Sequence, residues 1–337
     1  MSTEENLLYV QGKRVLRKLA GLSRPVSSWP HCPRELRNIE IVHGSTDHLD
    51  GRPSITHVLT DLLRAGQDGE HISITNFTLN GPADHVSIET VLKSLIMSGV
   101  GNEQSVEVMT PIGALTIPSS MKGLGDIDFL PKQFNLSSEL FFEQFHFDGA
   151  GYPSTLAPSW ESCLIPSGAV TGPHTDYCGC AQLIQHVQGR KLWLCWPPSP
   201  HNLEVYLKEH LSGNLQFSTE DAIDRLEGME LIKLDAQQTC FVLPAGTIHA
   251  VLTMSNSCHT GLKLWRRQDF EVARSMSDIQ GNLMKKKEEL DKASYDLLRN
   301  YFHDLTGELK NWEELRKKVG EGRTMSDFGG GLWTLQK

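Results

Sequence analysis

The sequence has no run of 18 apolar residues, so it predicts no helix that crosses a bilayer. The N-terminus also lacks a basic segment that leads into an apolar one, and we expect no secretory signal. Basic residues are outnumbered, with 32 Lys and Arg against 41 Asp and Glu and a net charge of −9. This deficit argues against broad electrostatic binding to nucleic acid or anionic membranes, although a local pocket for a basic peptide or a small anion stays open.

Cysteine is also scarce, with seven residues in a chain of 337. An odd and modest number predicts free thiols in an intracellular protein, of the nucleus or the cytoplasm, and excludes a disulfide scaffold. The 39% hydrophobic and 22% charged residues are typical of globular proteins and exclude a disordered or collagen-like chain. None of these absences identifies a chemistry.

The pattern of apolar and turn residues changes twice along the chain. Apolar residues at helical spacing predict helices over 4–22, 54–65 and 86–97. From about residue 104, short β-rich runs alternate with turn residues, which favours an antiparallel sandwich or barrel. The predicted strands lie near 105–109, 160–165, 169–175, 181–187, 191–196, 229–234, 238–243, 247–253 and 258–265. We therefore expect three parts, which are an N-terminal helical or mixed segment (1–100), a β core (101–268) and a C-terminal helical region (269–337).

The C-terminal region is rich in Leu, Lys and Glu and predicts helices over 270–302 and 306–318. Leu283, Leu290 and Leu297 fall seven residues apart, which indicates an apolar stripe. A helical hairpin that packs on the β core is the preferred interpretation. A homodimer interface through these helices is the alternative.

Histidine is the one residue type whose abundance asks for an explanation, with 14 in the chain. Three H-x-D pairs occur, and residues two apart on a strand point to the same side of a sheet. The pairs are His48–Asp50, His146–Asp148 and His174–Asp176. Chance alone supplies about as many such pairs, so only their surroundings can distinguish a metal site.

The surroundings favour His174 and Asp176. The other two pairs lie in turn-like stretches, where solvated turn residues are the better interpretation. His174 and Asp176 instead end a predicted strand, and the distant segment PAGTIHAV places His249 at the start of another. Two histidines and one carboxylate on strands of one barrel form a facial triad, which holds Fe(II) on one side and leaves three positions open. Zinc sites more often add a fourth protein ligand or use three histidines.

Lys191 and Thr171 meet a second requirement. A 2-oxo acid at the open metal positions would need a fixed cation and a hydroxyl for its far carboxylate. Lys191 lies 15 residues after Asp176 in an apolar run, on a strand predicted to return beside it, and a buried lysine is costly without an anion. Thr171, three residues before His174, offers a hydroxyl. The alternative interpretation of Lys191 is a lysine at a strand end that reaches solvent.

Three segments, in order and spacing, carry a family resemblance: TGPHTD, GRKLWLCWPP and FVLPAGTIHAV. Together they resemble the JmjC family of Fe(II)- and 2-oxoglutarate-dependent oxygenases, over roughly residues 155–266. The resemblance implies a chain that is mainly β with flanking helices, built on a double-stranded β-helix (a jelly roll of the cupin type). It also implies Fe(II) as the metal, with 2-oxoglutarate and dioxygen as co-substrates.

The family's site residues can be carried over by position. His174, Asp176 and His249 resemble the iron ligands, which are also the catalytic residues. Thr171 and Lys191 resemble the residues that bind the co-substrate carboxylate. These roles are what the resemblance implies for this chain.

The chain departs from the family pattern at two places. Lys263 stands on the last predicted strand, where the family usually has a small or amide residue. Some related oxygenases place the carboxylate-binding cation on that strand, so Lys263 competes with Lys191 as a co-substrate residue, although the GRK…PP context favours Lys191. Cys178 and Cys180 follow the aspartate as a C-x-C, and two small turn residues are a better interpretation than a zinc site.

Four other histidines are weaker candidates. His186 lies on a predicted strand, and the side to which it points is undetermined. His201 and His210 follow Pro200 in a polar segment and are expected to be exposed. His259 lies on the last strand and is the strongest of the four.

The resemblance implies a dioxygenase that hydroxylates or N-demethylates a protein side chain, as a lysine demethylase does. The acidic net charge is compatible with a basic peptide substrate. The first alternative is a 2-oxoglutarate oxygenase that acts on a small-molecule metabolite, and the second is an inactive JmjC-like scaffold protein. We expect no membrane association and no direct binding to nucleic acid.

Overall fold

The computed structural model of the chain describes residues 10–21, 40–43, 54–69, 72–77, 81–82, 87–99, 111–119, 160–176, 181–211, 217–235 and 239–264, and a few positions between 272 and 310. The helices are α1 (Val10–Ala20), α2 (Ile55–Asp68), α3 (Ile88–Gly99), α4 (Pro200–Leu211) and α5 (Thr219–Arg225). The strands are β1 (Glu40–His43), β2 (Ser73–Asn76), β3 (Gly81–Pro82), β4 (Ile112–Pro118), β5 (Trp160–Ile165), β6 (Val170–His174), β7 (Ala181–Trp196), β8 (Glu230–Leu234), β9 (Thr239–Leu243) and β10 (Ile248–Leu264).

The ten strands form one antiparallel sheet in the order β1-β9-β7-β10-β5-β4-β2-β3, with β6 paired to β10 and β8 paired to β7. The two long strands, β7 and β10, pair with each other along their length. Each of them changes its other partner half-way. β7 pairs first with β9 and then with β8, and β10 pairs first with β6 and then with β5. This exchange of partners suits a jelly roll, and the prediction of a mainly β core with flanking helices is confirmed.

Gly189 marks the point at which β7 changes partner. Its φ of 93° is a conformation that residues with a Cβ rarely adopt, and a Cβ there would lie 2.3 Å from the backbone oxygen of Asn256. The register between β7 and β10 shifts beside it. The sequence predicted two strands separated by a glycine-containing turn. The structure has one strand instead, because the glycine takes up the irregularity without reversing the chain.

β10 is the central strand of the site and lies between β6 and β7. Its residue Val251 pairs with Thr171 of β6 on one side and with Trp193 of β7 on the other. The expectation that the strand of Lys191 returns directly beside that of His174 is therefore wrong. Both strands still border β10, so both still contribute side chains to the same face.

The two faces of these strands have different surroundings. Alternate residues of β7 and β10, such as Leu194 and Ala250, join a large apolar cluster with α1, α4 and α5. The residues between them point the other way, and Trp193 and Val251 pack with Phe241 in the interior of the β-helix. The helices therefore cover the outside of the sheet and leave the inside for the site.

The predicted helices over 4–22, 54–65 and 86–97 correspond to α1, α2 and α3. Ser54 precedes α2 and its side chain caps the helix, and Gly69 follows α2 in the left-handed conformation. α2 and α3 pack on β4 and β5 through a second apolar cluster. None of the helices that the structure describes is long and apolar enough to cross a membrane.

Two helices were missed in the sequence, although their signals were present. α4 begins at Pro200, a residue favoured in the first turn, and it buries Leu203, Tyr206 and Leu207 at helical spacing. Ser218 precedes α5, and its side chain and that of Asp221 form a capping box. The polar residues between these positions concealed both patterns.

Other predictions lie largely outside the described residues. They include the strand near 105–109 and most of the helices over 270–302 and 306–318. The division at residues 100 and 268 stays a prediction, although β1, β2 and β3 from the first segment join the same sheet as the core strands.

Candidate metal centre

The interior of the β-helix contains a cavity of about 150 Å³. Its volume is roughly an order of magnitude more than one water molecule needs. The polar side chains that line it include Thr171, His174, Asp176, Lys191, His249 and His259. Five of the six residues predicted from the sequence therefore meet in one cavity. For the sixth, Lys263, the structure describes only the backbone, which pairs with Gln182, and its side chain lies outside the described part.

His174, Asp176 and His249 form a compact cluster, because their ligand atoms all lie within 4.8 Å of one another. The Nε2 atom of His249 is 3.8 Å from Oδ1 of Asp176, and the centres of the two imidazoles are 4.1 Å apart. Strand pairing explains this arrangement: His174, the last residue of β6, is the register partner of His249 on β10. Asp176 follows two residues later. The cluster could hold a metal ion.

The hydrogen bonds of the two histidines fix which ring nitrogen faces the cluster. The Nδ1 atom of His174 is 2.9 Å from the carbonyl oxygen of Gly172, and Nδ1 of His249 is 3.2 Å from that of Thr247. A carbonyl oxygen only accepts, so in each histidine Nδ1 donates and carries the proton. Both Nε2 atoms therefore keep a lone pair, which is the arrangement that a hydrogen bond to a carbonyl oxygen imposes on a histidine that binds a metal.

The charge state of the two histidines also suits metal binding. Burial lowers the pKa of each to about 4, and for His174 the neighbouring His249 adds to the lowering. Both rings are therefore neutral at physiological pH. A metal binds neutral imidazole, so it has no proton to displace from this site above about pH 5.

Lys191 forms the second polar cluster of the cavity. Only 1% of the residue is exposed, and its Nζ atom lies 2.6 Å from Nδ1 of His259. Burial lowers the pKa of Lys191 to about 8. Among the described residues no carboxylate forms an ion pair with it, so a cation faces the cavity without an anionic partner.

Trp193 connects the two clusters. Its indole stacks on the ring of His249, with 5.5 Å between ring centres, and meets the ring of His259 edge-on at 5.7 Å. Nζ of Lys191 lies 5.9 Å from the indole centre, within the range of a cation–π contact. Phe241 packs against the other edge of the indole at 5.2 Å. The indole of Trp193 thus lies between the triad and Lys191 and contacts both.

Thr171 lies on β6, opposite Val251, and its half-buried side chain lines the cavity. The cavity is also lined by residues that the sequence did not suggest. Glu161 and Cys163 alternate on β5, and Gln182 lies on the first half of β7. The strand period of two was visible in the sequence, but the pairing of β5, β6 and β7 with β10 was not.

His259 is the functional candidate that the sequence ranked too low, since it lines the cavity and contacts Lys191. His186 is also buried but does not line the cavity, and it donates a hydrogen bond to the carbonyl of Gly189. His201 lies exposed on α4, as expected. The side chains of the remaining candidates lie outside the described residues. They are His48, Asp50, His146, Asp148, Cys178, Cys180 and His210.

Comparison with known proteins gives a consistent but partial picture. No protein-family model matches the chain. A JmjC domain-containing histone demethylation protein 1 from Saccharomyces cerevisiae is 29% identical over 115 residues, which cover 33% of this chain and 22% of the relative. The protein of the same name from Candida glabrata is 27% identical over 121 residues, covering 35% of this chain and 29% of the relative. The chain resembles JmjC-domain proteins.

A third relative of this JmjC-like chain is the mouse Lysine-specific demethylase 2B, which is 33% identical over 97 residues. That match covers 28% of this chain and 7% of the relative. In all three comparisons the chain spans less than a third of the relative's length. The similarity therefore concerns one segment of larger proteins, and it agrees with the jelly-roll architecture.

Proposed function

We propose that this chain is an Fe(II)- and 2-oxoglutarate-dependent oxygenase that hydroxylates or N-demethylates a protein side chain. One observation carries the proposal. A cluster of two histidines and one aspartate shares a cavity with a buried lysine that has no carboxylate partner among the described residues. The triad suits a metal ion with open coordination positions, and the buried lysine suits an anionic ligand.

The donor set fits Fe(II). His174 and His249 offer neutral nitrogens whose lone pairs face the cluster, and Asp176 offers an oxygen that balances part of the metal charge. Such a set occupies one face of the ion and leaves positions for a chelating co-substrate and dioxygen. The carbonyls of Gly172 and Thr247 orient the rings.

In this proposal 2-oxoglutarate would supply the anion for Lys191. The ammonium of Lys191 and the hydroxyl of Thr171, which line the same cavity, would donate hydrogen bonds to its distal carboxylate, and the triad residues would hold the metal that the 2-oxo acid end would chelate. A monocarboxylate would leave the ammonium without an anionic partner, so we expect the pocket to prefer a dicarboxylate.

When bound, Fe(II) supplies the redox chemistry by which dioxygen and 2-oxoglutarate give succinate and carbon dioxide and a substrate C–H bond is oxidised. The protein positions the reactants and limits access of water. The indole of Trp193 and the apolar side chains of Leu115, Ile165 and Val251 also line the cavity.

A protein substrate is proposed on two grounds. Two of the relatives are named for histone demethylation and the third for lysine-specific demethylation. The net charge of −9 favours the approach of a basic peptide. A substrate of this kind implies an enzyme of the nucleus or the cytoplasm.

The test is aerobic incubation of the purified protein with Fe(II), 2-oxoglutarate and panels of methyl-lysine peptides and small metabolites. Succinate measures co-substrate turnover, formaldehyde reports N-demethylation, and a +16 Da product reports hydroxylation. We expect succinate above a metal-free control, together with formaldehyde or the +16 Da product from a peptide. Turnover with a metabolite alone would contradict the protein substrate. Absence of succinate under all conditions would contradict the enzyme itself and favour a scaffold.

A pH dependence follows from the burial of Lys191. Because its pKa is about 8 in the free protein, the lysine is protonated at pH 7 and becomes neutral as the pH rises through 8. A neutral amine attracts a carboxylate weakly, so kcat/KM for 2-oxoglutarate should be flat from pH 6.5 to 7.5 and fall by about tenfold per pH unit well above 8. The value of kcat, measured at saturation, should change less, since the bound carboxylate keeps the lysine protonated. A flat kcat/KM up to pH 9.5 would contradict the assignment.

A further inference from the structure

His259 of β10 and Lys191 of β7 contact each other although they are not register partners. Lys191 lies in the second half of β7, where its register partner is Thr253, whereas His259 lies in the second half of β10, opposite His186. They are thus not paired in the sheet, yet Nζ and Nδ1 are 2.6 Å apart and the two residues are only 1% and 9% exposed. The contact is a hydrogen bond between the two side chains.

The chemistry of the two groups fixes the direction of this hydrogen bond. An ammonium only donates, so Nδ1 of His259 accepts and its ring proton lies on Nε2. Burial, and after it the charge of Lys191, holds the pKa of His259 well below its ordinary value. The imidazole therefore stays a neutral acceptor at physiological pH. It occupies one of the three N–H groups of the lysine and leaves two for another acceptor.

A lysine side chain is flexible, and it loses rotamer freedom when it must hold a ligand. A lysine that is already fixed has less freedom to lose on binding. Trp193 restrains both partners in addition, since its indole contacts the ring of His259 and lies beside the ammonium. His259 and Trp193 thus determine where the two remaining N–H groups of Lys191 point.

We propose that His259 is a positioning residue for the co-substrate, which holds the ammonium of Lys191 in place for the distal carboxylate of the 2-oxo acid. The inference rests on the proposed function and adds a residue to it. The contacts that the structure gives the side chain of His259 are with Lys191 and Trp193, so His259 acts through Lys191. Its effect is therefore confined to ligands that carry a distal carboxylate.

The test compares two ligands and three variants by isothermal titration calorimetry, with Mn(II) in place of Fe(II) so that no turnover occurs. The ligands are 2-oxoglutarate and pyruvate, which shares the 2-oxo acid end and lacks the distal carboxylate. His259→Leu removes the acceptor, and His259→Asn keeps an acceptor oxygen near the position of Nδ1. His186→Leu is the matched control, because it removes a buried imidazole from the paired position without touching the cavity.

We expect His259→Leu to raise Kd for 2-oxoglutarate by about tenfold or more, the loss expected for a hydrogen bond to a charged group. In His259→Asn and His186→Leu the Kd should stay within about threefold of the wild-type value. Kd for pyruvate should be unchanged in all three variants. Thermal unfolding, measured on the same samples, confirms that each variant is folded.

Three results would overturn the inference. The first is a folded His259→Leu variant that binds 2-oxoglutarate like the wild type. The second is an equal loss of pyruvate and 2-oxoglutarate binding, which would assign the effect to the metal site. The third is an equal loss in His186→Leu, which would assign it to packing. If the wild-type protein itself binds no 2-oxo acid, the proposed function fails first and this inference fails with it.

Discussion

Asp176→Ala is expected to abolish metal retention and 2-oxoglutarate turnover together. The aspartate supplies the one charged donor of the triad, and without it two neutral imidazoles must hold a divalent ion. Loss of a group that only hydrogen-bonds to a metal ligand lowers metal affinity by about 10–100-fold. Loss of the ligand itself should therefore lower metal affinity by at least about a hundredfold. His174→Ala should behave in the same way, because its Nε2 atom is one of the two nitrogen donors.

The measurement is the metal content after gel filtration, together with succinate formation under saturating 2-oxoglutarate. Asp235→Ala is the control, because that aspartate pairs with Lys233 in a surface ion pair away from the cavity. It should retain metal and activity. If an Asp176→Ala protein produces succinate at the wild-type rate, the triad has been assigned wrongly.

The triad could be predicted because its signals are local. His174 ends β6 and Asp176 follows two residues later, and His249 is the second residue of β10, after a Pro-Ala-Gly turn. Strand alternation then decides which side chains share a face, and the structure brings the three together. The mainly β core and α1, α2 and α3 follow from equally local patterns of apolar residues.

His259 could not be found in this way, because its position depends on two irregularities of the sheet. The bulge at Gly189 and the register shifts between Ser255 and His259 change which residues of β7 and β10 point inwards. The sequence shows a glycine, but it does not show whether the chain reverses there or continues. For the same reason, the sequence predicted two shorter strands in place of β7 and two in place of β10.

Lys191→Met is expected to raise KM for 2-oxoglutarate by about a hundredfold while leaving the fold intact. Methionine is an unbranched apolar side chain that can follow the path of the lysine stem. Loss of the ammonium leaves the distal carboxylate buried and unpaired. Removing one partner of a buried charge pair costs about 2–5 kcal/mol, which corresponds to a loss of affinity of this order. The value of kcat should fall less than kcat/KM, because the triad is unchanged.

The stability of this variant separates a binding role from a structural one. A pKa of about 8 means that burial disfavours charged Lys191 by about 3 kcal/mol. At pH 7 the lysine is protonated in both the folded and the unfolded chain, so that penalty disappears in the methionine variant. Against it stands the hydrogen bond to His259, whose loss leaves a buried nitrogen without a donor and costs about 1–3 kcal/mol. The two contributions nearly cancel, and we expect Tm to be unchanged or slightly raised.

Lys233→Met is the matched control, because it makes the same substitution on the neighbouring strand β8, where the side chain is 43% exposed and pairs with Asp235. It should leave KM for 2-oxoglutarate at the wild-type value. A Lys191→Met protein with an unchanged KM would show that another cation, such as Lys263, binds the carboxylate. A large fall in Tm together with a raised KM would instead mean that the lysine supports the fold. A raised KM at constant Tm is the result expected if Lys191 binds the carboxylate and does not support the fold.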